Sequence, residues 1–340
     1  MSVWGKRQNR SKPHGTLLRF EPLERRELLS ANYIFPLTSG NTVSFKDADG
    51  TTVKVKLTGS GSGSFTLTNG LQTGAPIASM TITGTDNTSQ LKITAAGGGD
   101  NVSTIRTLTV TPLAAGTALS QLSTSSMNVA SGGLLTFNGN VGSMTLNSVN
   151  NGGSIDVTGN LKAFIVNSVG ANASIDVTGT LTSMKVQNLG GGNANGAGPA
   201  QLSAGLLSAL TVTSQINNAV IESEGNLNSL VIGSVINQGT VANLTVFAGG
   251  NIGNIVVQGA VSNSGFAANR SAGSDNLLGT IDDYTINPSS ISSSVTSATF
   301  NGTASNVQLI ATGANGTLSG SAAASVEQID NAISQFIPMQ

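Results

Sequence analysis

The sequence predicts an all-β protein whose main body is a right-handed parallel β-helix (a solenoid), with an N-terminal β cap and a short C-terminal helix. Three observations predict this fold. A pattern of glycine and apolar residues returns about every 20 residues, and the apolar residues within it alternate as they do in strands. Only 9% of the 340 residues are charged, against about 25% in ordinary globular chains. Ladders of Ser, Thr and Asn are therefore expected on the outer surface in place of ion pairs.

The first segment, residues 1–32, is predicted to be a basic targeting segment. Its first 30 residues contain seven basic and three acidic side chains, whereas the rest of the chain contains eight basic and 13 acidic ones. It lacks the uninterrupted apolar stretch of roughly 7–15 residues that a secretory signal needs. Residues 20–29 (FEPLERRELL) instead suit a short amphipathic helix that begins near Pro22.

This segment contains a Leu-Glu-x-Arg-x-Leu-Leu pattern, formed by Leu23, Glu24, Arg26, Leu28 and Leu29. The pattern resembles the LEPR-XLL motif of large bacterial surface and exported proteins, with Arg25 where the motif's name has proline. The resemblance covers only this short stretch. It implies export or surface display by a non-standard route, and it implies nothing about catalysis. The alternative is a basic cytosolic tail with a chance pair of leucines.

Residues 33–115 are predicted to be an N-terminal β region that caps the solenoid and merges into it. Apolar and polar residues alternate over 42–46 and 51–57, on either side of Asp47-Ala48-Asp49-Gly50, which predicts a hairpin with an Asp-Gly turn. The apolar spacing of the repeat body already occurs in this region, as Ile77-x-x-Met80-x-Ile82 and Ile105-x-x-Leu108-x-Val110.

Residues 116–320 are predicted to be the parallel β-helix repeats. Each copy follows Gly-x-h-x-x-h-x-h, where h is apolar, and copies begin at Gly139, Gly159, Gly179, Gly205, Gly225 and Gly250. A copy is too short for a βαβ unit, which takes about 30 residues. Stacking copies about 4.8 Å apart would bury their apolar faces and place Phe164 between Met144 and Met184.

The repeat also has a rival interpretation, one irregularity in its spacing, and segments between its strands that need an assignment. A β-sandwich is the rival fold, although a sandwich does not require a register near 20 residues. A further copy at Gly239 interrupts the spacing. Glycine and asparagine between the strands are interpreted as turn residues with positive φ, and residues 190–204 and 262–276 are interpreted as loops between coils.

Residues 321–340 are predicted to form an amphipathic helix that caps the open end of the solenoid. Ser325 and Gln328 fit a capping box. Apolar residues follow at helical spacing before Pro338, namely Val326, Ile329, Ile333, Phe336 and Ile337. Docking to a partner is the alternative role of this helix.

Four aspartates are candidate calcium ligands. Asp156 and Asp176 hold equivalent positions in successive copies, so a cation would relieve the repulsion between their outward carboxylates. Asp47 and Asp49 form an Asp-x-Asp-Gly sequence similar to half of a calcium loop. Calcium needs roughly six to eight oxygens, so the simpler interpretation is a solvated pair in one place and a turn in the other. No metal or cofactor is assigned.

No catalytic residue is assigned either. The chain has no Cys, and its one His, His14, lies in the targeting segment. The run Gly97-Gly98-Gly99-Asp100 lacks the Lys-Ser/Thr of a phosphate loop. The basic residues of the body form no stripe suited to nucleic acid, and no apolar run approaches the ~20 residues of a membrane span.

We therefore expect a non-enzymatic structural or adhesive solenoid that is exported, at the cell surface or outside the cell. Cell-envelope glycans or other surface proteins are its candidate partners. The alternative is a polysaccharide-active lyase or hydrolase, because parallel β-helices often host such enzymes, and Lys162 and Lys185 lie near the Asp156 and Asp176 positions. Such a site needs clustered carboxylates beside aromatic side chains, and the copies from Gly139 to Val257 contain no Tyr or Trp.

Overall fold

A computed structural model of the chain describes residues 34–47, 49–68, 76–116, 118–191, 197–271, 284–285, 293–311 and 313–329. The fold is all-β, as the sequence predicts. The first seven strands are β1 (Ile34–Thr38), β2 (Thr42–Lys46), β3 (Thr52–Thr58), β4 (Ser62–Leu67), β5 (Ile77–Thr85), β6 (Gln90–Ala96) and β7 (Ser103–Pro112). The next six are β8 (Ala118–Phe137), β9 (Asn140–Val149), β10 (Ser154–Val157), β11 (Leu161–Val169), β12 (Ser174–Leu189) and β13 (Ala200–Ser223).

The remaining strands complete the chain order. They are β14 (Leu227–Ile232), β15 (Thr240–Ala248), β16 (Ile252–Val257), β17 (Val261–Ala268), β18 (Arg270–Ser271), β19 (Tyr284–Thr285), β20 (Val295–Phe300), β21 (Ala304–Ile310), β22 (Thr317–Ser319) and β23 (Val326–Ile329). A 3-10 turn, Ala323–Ser325, precedes β23.

The N-terminal strands pair antiparallel. β2 and β3 form the predicted hairpin, with Lys46 opposite Thr52, and further antiparallel pairs join β1 to β4, β3 to β6 and β4 to β5. The pattern of alternating apolar residues explains this pairing, because β3 buries Val53, Val55 and Leu57 and exposes Lys54 and Lys56. Parallel pairing begins where β5 meets β7 and β6 meets β8.

From β7 onward the chain forms parallel ladders whose partners are about one repeat apart in sequence, except that the short strands β18 and β19 form a separate antiparallel pair. One column shows this register most clearly. It consists of Leu122, Met144, Phe164, Met184, Leu210, Leu230, Ile255, Ala298 and Leu318. Phe164 pairs with Met144 on one side and Met184 on the other, as the repeat predicts, and all three are fully buried.

Two further ladders hold the other strands of each repeat. The second runs through Val129, Val149, Val169, Leu189, Ile216, Val241, Val261 and Ala304. The third begins as Ile82, Val110, Phe137, Val157, Val177 and Ala204. The extra copy at Gly239 belongs to the second ladder, since Val241 pairs with Ile216. It therefore does not interrupt the first ladder.

The repeat glycines from Gly159 to Gly250 allow close approach between passes of the chain, and apart from Gly239, at φ 62°, they do not adopt left-handed turns. At Gly250 an added Cβ would overlap Asn226 Oδ1, which accepts the backbone N–H of Asn251 at 2.7 Å. Asn160 Oδ1 likewise accepts the Thr180 N–H at 2.8 Å beside Gly179. The expectation of positive φ is confirmed at glycines such as Gly152 and Gly233, with φ values of 69° and 78°. It is wrong at Gly179 and Gly250, where the neighbouring asparagine already fills the space for a side chain.

Asparagines supply left-handed residues at another corner. Asn218, Asn243, Asn263 and Asn306 have φ values of 58°, 53°, 48° and 50°, in the region that short polar side chains tolerate best after glycine. Asn263 Nδ2 donates to Asn243 Oδ1 at 3.3 Å, and Asn306 Nδ2 donates to Asn263 Oδ1 at 3.1 Å.

The C-terminal prediction is wrong where the structure tests it. Val326–Ile329 is a strand that pairs in parallel with β21, and Gln308 Nε2 donates to Glu327 Oε2 at 2.8 Å. The 3-10 turn before it has no side-chain cap. The backbone groups along β21 give an extended segment hydrogen-bond partners, and this pairing outweighs the local helical spacing. Residues 330–340, the rest of the predicted helix, lie outside the described residues.

The two predicted loops have the wrong limits. Residues 200–204 belong to β13, and residues 262–268 belong to β17. These segments are rich in Gly, Ala, Ser and Asn, which favours a loop interpretation. Their small side chains nevertheless fit the closely packed interior, where Ala200, Ala204, Ala267 and Ala268 are buried.

Candidate functional site

The targeting residues Leu23, Glu24, Arg26, Leu28 and Leu29 lie outside the described residues. Within the described ranges, no helix has the length and apolar character needed to cross a membrane.

Asp156 and Asp176 are in register, as the repeat predicts. They pair directly in neighbouring strands, and both side chains are half-buried. The pKa of Asp156 is raised, first by burial and second by the negative charge of Asp176. The next residues in this row are Thr136 on one side and Ser203 on the other. The pair therefore has hydroxyl groups rather than a third carboxylate beside it.

The hairpin turn at Asp47–Gly50 lies against the loop that follows β6. This contact arises because β3 and β6 pair antiparallel, with Thr52 opposite Ala96. Asp49 joins the two segments. Its Oδ1 accepts the Thr51 N–H at 2.9 Å, and its Oδ2 accepts the N–H groups of Gly99 and Asp100 at 3.0 and 2.9 Å.

A cleft of about 320 Å³ opens at this junction. It is lined by Asp47, Asp49, Pro76, Asp100, Val102, Ser103 and Thr104. Asp47 and Ser103 are buried, with 6% and 3% of their surface exposed. Neither the Asp47 Oδ1 nor the Ser103 Oγ meets the distance and angle of a hydrogen bond, although the Ser103 hydroxyl lies close enough to the Asp47 carboxyl to lower its pKa.

The pKa values of the two aspartates in the turn are shifted in opposite directions. Burial, followed by contact with the Asp49 carboxylate, raises the pKa of Asp47 to about 6, although the nearby Ser103 hydroxyl and the Thr51 N–H act in the other direction. Below that pKa the protonated Asp47 carboxyl donates a hydrogen bond to Asp49, and this bond, followed by those from Thr51, holds the pKa of Asp49 well below its usual range. At neutral pH both groups are therefore ionised, neither can donate a proton, and their charges repel.

The sequence identified Asp47 and Asp49 but not Asp100 and Ser103. In the sequence, the glycine run at Gly97–Asp100 suggests only a phosphate loop, and it lacks the Lys-Ser/Thr that such a loop needs. Its contact with the hairpin comes from the β3–β6 pairing, which no local motif reveals. Among the residues whose structure is described, no three His, Asp or Glu side chains form a group able to hold a metal by themselves.

The described phenylalanines of the strands face inward. Phe65, Phe137, Phe164, Phe247, Phe266 and Phe300 are fully buried. At the N-terminal end, the ring of Phe35 stacks on that of Phe65 with centroids 4.9 Å apart. The large apolar side chains that are exposed in the described part are aliphatic, namely Ile34, Leu113, Leu134, Ile165, Val235 and Ile236.

Comparison of the chain with protein-family models, with curated proteins and with solved structures gives no match.

Proposed function

We propose that the chain is an exported or surface-displayed structural protein, built as a right-handed parallel β-helix and acting through its length, stability and polar exterior. The observation that carries this proposal is the column through Phe164, in which nine aligned residues come from successive passes of the chain. Parallel neighbours about one repeat apart require a crossover after each pass. Such crossovers are right-handed in about 98% of known cases.

The polar exterior supports an adhesive role. Asn167 Nδ2 donates to Asn147 Oδ1 at 2.9 Å, and Asn147 Nδ2 donates to Asn128 Oδ1 at 2.7 Å. Such rows present regularly spaced amide and hydroxyl groups, which are suited to hydrogen bonding with cell-envelope glycans or with another surface protein. The basic segment with Leu28 and Leu29 supports export by its resemblance to the LEPR-XLL motif.

A polysaccharide lyase or hydrolase is the second candidate, and the cleft at Asp47 and Asp49 is the feature that favours it. One carboxyl group has a raised pKa and the other a lowered one, as in many acid–base pairs. Glycoside hydrolysis, however, needs carboxyl groups at least about 5 Å apart, whereas these two are in direct contact. The lining residues also include no aromatic side chain.

Export is tested by fractionating a bacterial host that produces the full chain. The variant Leu28→Ala/Leu29→Ala removes the leucine pair of the motif, and Leu17→Ala/Leu18→Ala is its control, because it removes the other leucine pair of the segment. We expect the first variant to stay inside the cell while the control reaches the surface as the wild type does. Equal export of both variants, or no export of the wild type, would contradict the targeting role.

The structural role is tested with the exported wild-type protein. We expect it to co-sediment with purified cell envelopes and to release no reducing sugars or unsaturated sugars from envelope polysaccharides. Sugar release that is abolished by Asp49→Asn would establish the enzyme instead. An experimental structure with left-handed crossovers, or without a continuous column through Phe164, would overturn the proposed fold.

A further inference from the structure

The cleft beside the hairpin contains polar atoms that lack the partners buried groups normally have. More than 90% of buried polar groups in proteins are hydrogen-bonded, yet the Asp47 Oδ1 and the Ser103 Oγ, on two residues that line the cleft, do not meet the geometry of a hydrogen bond. Leaving such a group unsatisfied costs roughly 1–3 kcal/mol. A bound species that offers positive charge to both oxygens would remove this cost.

Asp86, in another turn, shows that the chain can satisfy an aspartate by itself. Its Oδ2 accepts the Ser60 hydroxyl at 2.6 Å, and its Oδ1 accepts the N–H and the hydroxyl of Thr88 at 2.8 and 2.7 Å. Asp47 has no comparable set of donors around its free oxygen. The difference between the two turns points to a ligand at Asp47.

The charge around the cleft specifies the sign of that ligand. Three of the seven lining residues are aspartates, and none is basic. Asp49 Oδ2 already accepts two N–H groups and its Oδ1 accepts one, and the side chains of Asp47 and Thr51 also contact this carboxylate. Asp100 Oδ1 accepts the Val102 N–H at 2.8 Å. The open positions therefore belong mainly to Asp47, Asp49 and Ser103.

We propose that this cleft is a calcium site in which the Asp47 and Asp49 carboxylates and the Ser103 hydroxyl bind one Ca²⁺ ion, and water completes the shell. All of these ligands are oxygens, which suit Ca²⁺ rather than zinc or copper. The flexible geometry of calcium suits an irregular junction better than the strict octahedron of Mg²⁺. With only two carboxylates, the dissociation constant should lie near 10⁻⁴–10⁻³ M, as in extracellular calcium modules.

The ion would connect two segments that are distant in sequence. Asp47 and Asp49 belong to the turn between β2 and β3, and Ser103 begins β7, which pairs in parallel with β5. Calcium would therefore fix the antiparallel N-terminal hairpin to the start of the parallel ladders. This inference does not depend on the proposed export or adhesive role.

The test uses the full chain, freed of divalent ions with a chelator, at pH 7.5. Equilibrium dialysis against radioactive calcium measures stoichiometry and affinity, and hydrogen exchange locates the response. We expect one ion per chain with a dissociation constant of about 1 mM or less. Amide exchange over residues 47–51 and 97–103 should slow at least several-fold with CaCl₂, and much less with MgCl₂ at the same concentration.

Variants decide where the ion binds. Asp47→Asn keeps the size of the side chain but removes its charge, and it should weaken calcium binding at least tenfold. Asp86→Asn is the matched control, since it alters a turn aspartate outside the cleft and should leave binding unchanged. Ser103→Ala should weaken binding several-fold. It provides a second measurement if Asp47→Asn does not fold.

Three results would overturn the proposal. One is no calcium binding by the wild type up to 20 times the expected 1 mM constant, which would leave water as the occupant of the cleft. The second is binding that Asp47→Asn and Ser103→Ala do not change. The third is protection centred on Asp156 and Asp176, which would place the ion on the outer ladder instead.

Discussion

Asn226 and Gly250 illustrate how single residues fix the spacing between passes of the chain. The asparagine Oδ1 accepts the next backbone N–H and occupies the volume that a side chain at position 250 would need. Glycine is therefore required at 250 by its neighbour and not by its own backbone angles. The two residues should behave as one unit in mutational tests.

A double-mutant cycle tests this coupling. We expect Gly250→Ala to lower the free energy of unfolding by about 1–3 kcal/mol, because the new methyl group overlaps the Asn226 amide. Asn226→Ala should cost about 1 kcal/mol for the lost hydrogen bond, and adding Gly250→Ala to it should cost little more. Urea unfolding of the four proteins gives the interaction energy.

Gly225→Ala is the control for this cycle, since its Cβ would meet no atom closer than 3.3 Å. It should be tolerated better than Gly250→Ala. Additive effects of Asn226→Ala and Gly250→Ala would show that the two residues are not coupled through the shared space.

The candidate site also shows what residue patterns can and cannot predict. Asp47 and Asp49 were found because an Asp-x-Asp-Gly turn is a local pattern. Ser103 and Asp100 were not found, because they reach the turn only through the pairing of β3 with β6. The free oxygen of Asp47 is likewise a consequence of tertiary contacts, and the sequence alone gives no measure of it.

Among the strands, the interior of the first ladder depends on side chains that are matched in size. Phe164 lies between two methionines in the column and is 1% exposed, whereas the neighbouring Ile165 is 48% exposed. This contrast follows from the two-residue period of a strand. Truncating these two adjacent side chains should therefore have a large effect on stability at the buried position 164 and a small one at the exposed position 165.

We expect Phe164→Ala to lower the free energy of unfolding by about 3–5 kcal/mol, because it leaves a cavity between two packed neighbours. Phe164→Leu should cost about 1.5 kcal/mol or less if the methionines adjust. Ile165→Ala is the control and should change stability by at most about 0.5 kcal/mol, as at other surface positions. Denaturant unfolding measures all three, and equal losses at 164 and 165 would contradict the assigned register.

The strands also show where periodicity is a reliable predictor. The hairpin and the register of the first ladder were predicted correctly, because alternation, an Asp-Gly turn and a fixed repeat all lie in the sequence. The C-terminal strand was missed. Val326 and Ile329 satisfy a helical spacing as well as a strand spacing in so short a segment, and the pairing with β21 decides between them.

For the molecule as a whole, the few carboxylates with shifted pKa values set how stability depends on pH. The pKa of Asp86 is lowered by hydrogen bonds from Ser60 and Thr88, so its contribution is present above pH ~4 and is lost as the pH falls. The pKa of Asp156 is raised by burial and by Asp176, so the folded state loses stability as the pH rises above ~4. Asp47 adds to that second loss up to its pKa of about 6.

We therefore expect the free energy of unfolding, measured with chelator present, to be greatest near pH 4–5. Asp176→Asn should flatten the fall above this range, because it removes a like charge worth about 0.2–1 kcal/mol. Asp86→Asn should flatten the rise below it. Urea unfolding between pH 3 and 8 checks both, and a curve that Asp176→Asn leaves unchanged would contradict the interaction between the two paired carboxylates.

The unequal sequence distance between aligned partners has a wider consequence. Phe164 and Met184 are 20 residues apart, Leu230 and Ile255 are 25 apart, and Ile255 and Ala298 are 43 apart, yet each pair meets in the same column. The additional residues leave the stack at different corners, after β14 in one case and after β17 in the other. New segments can therefore be acquired at several places along the ladders without disturbing the column, so evolution can diversify what the molecule presents while its scaffold stays constant.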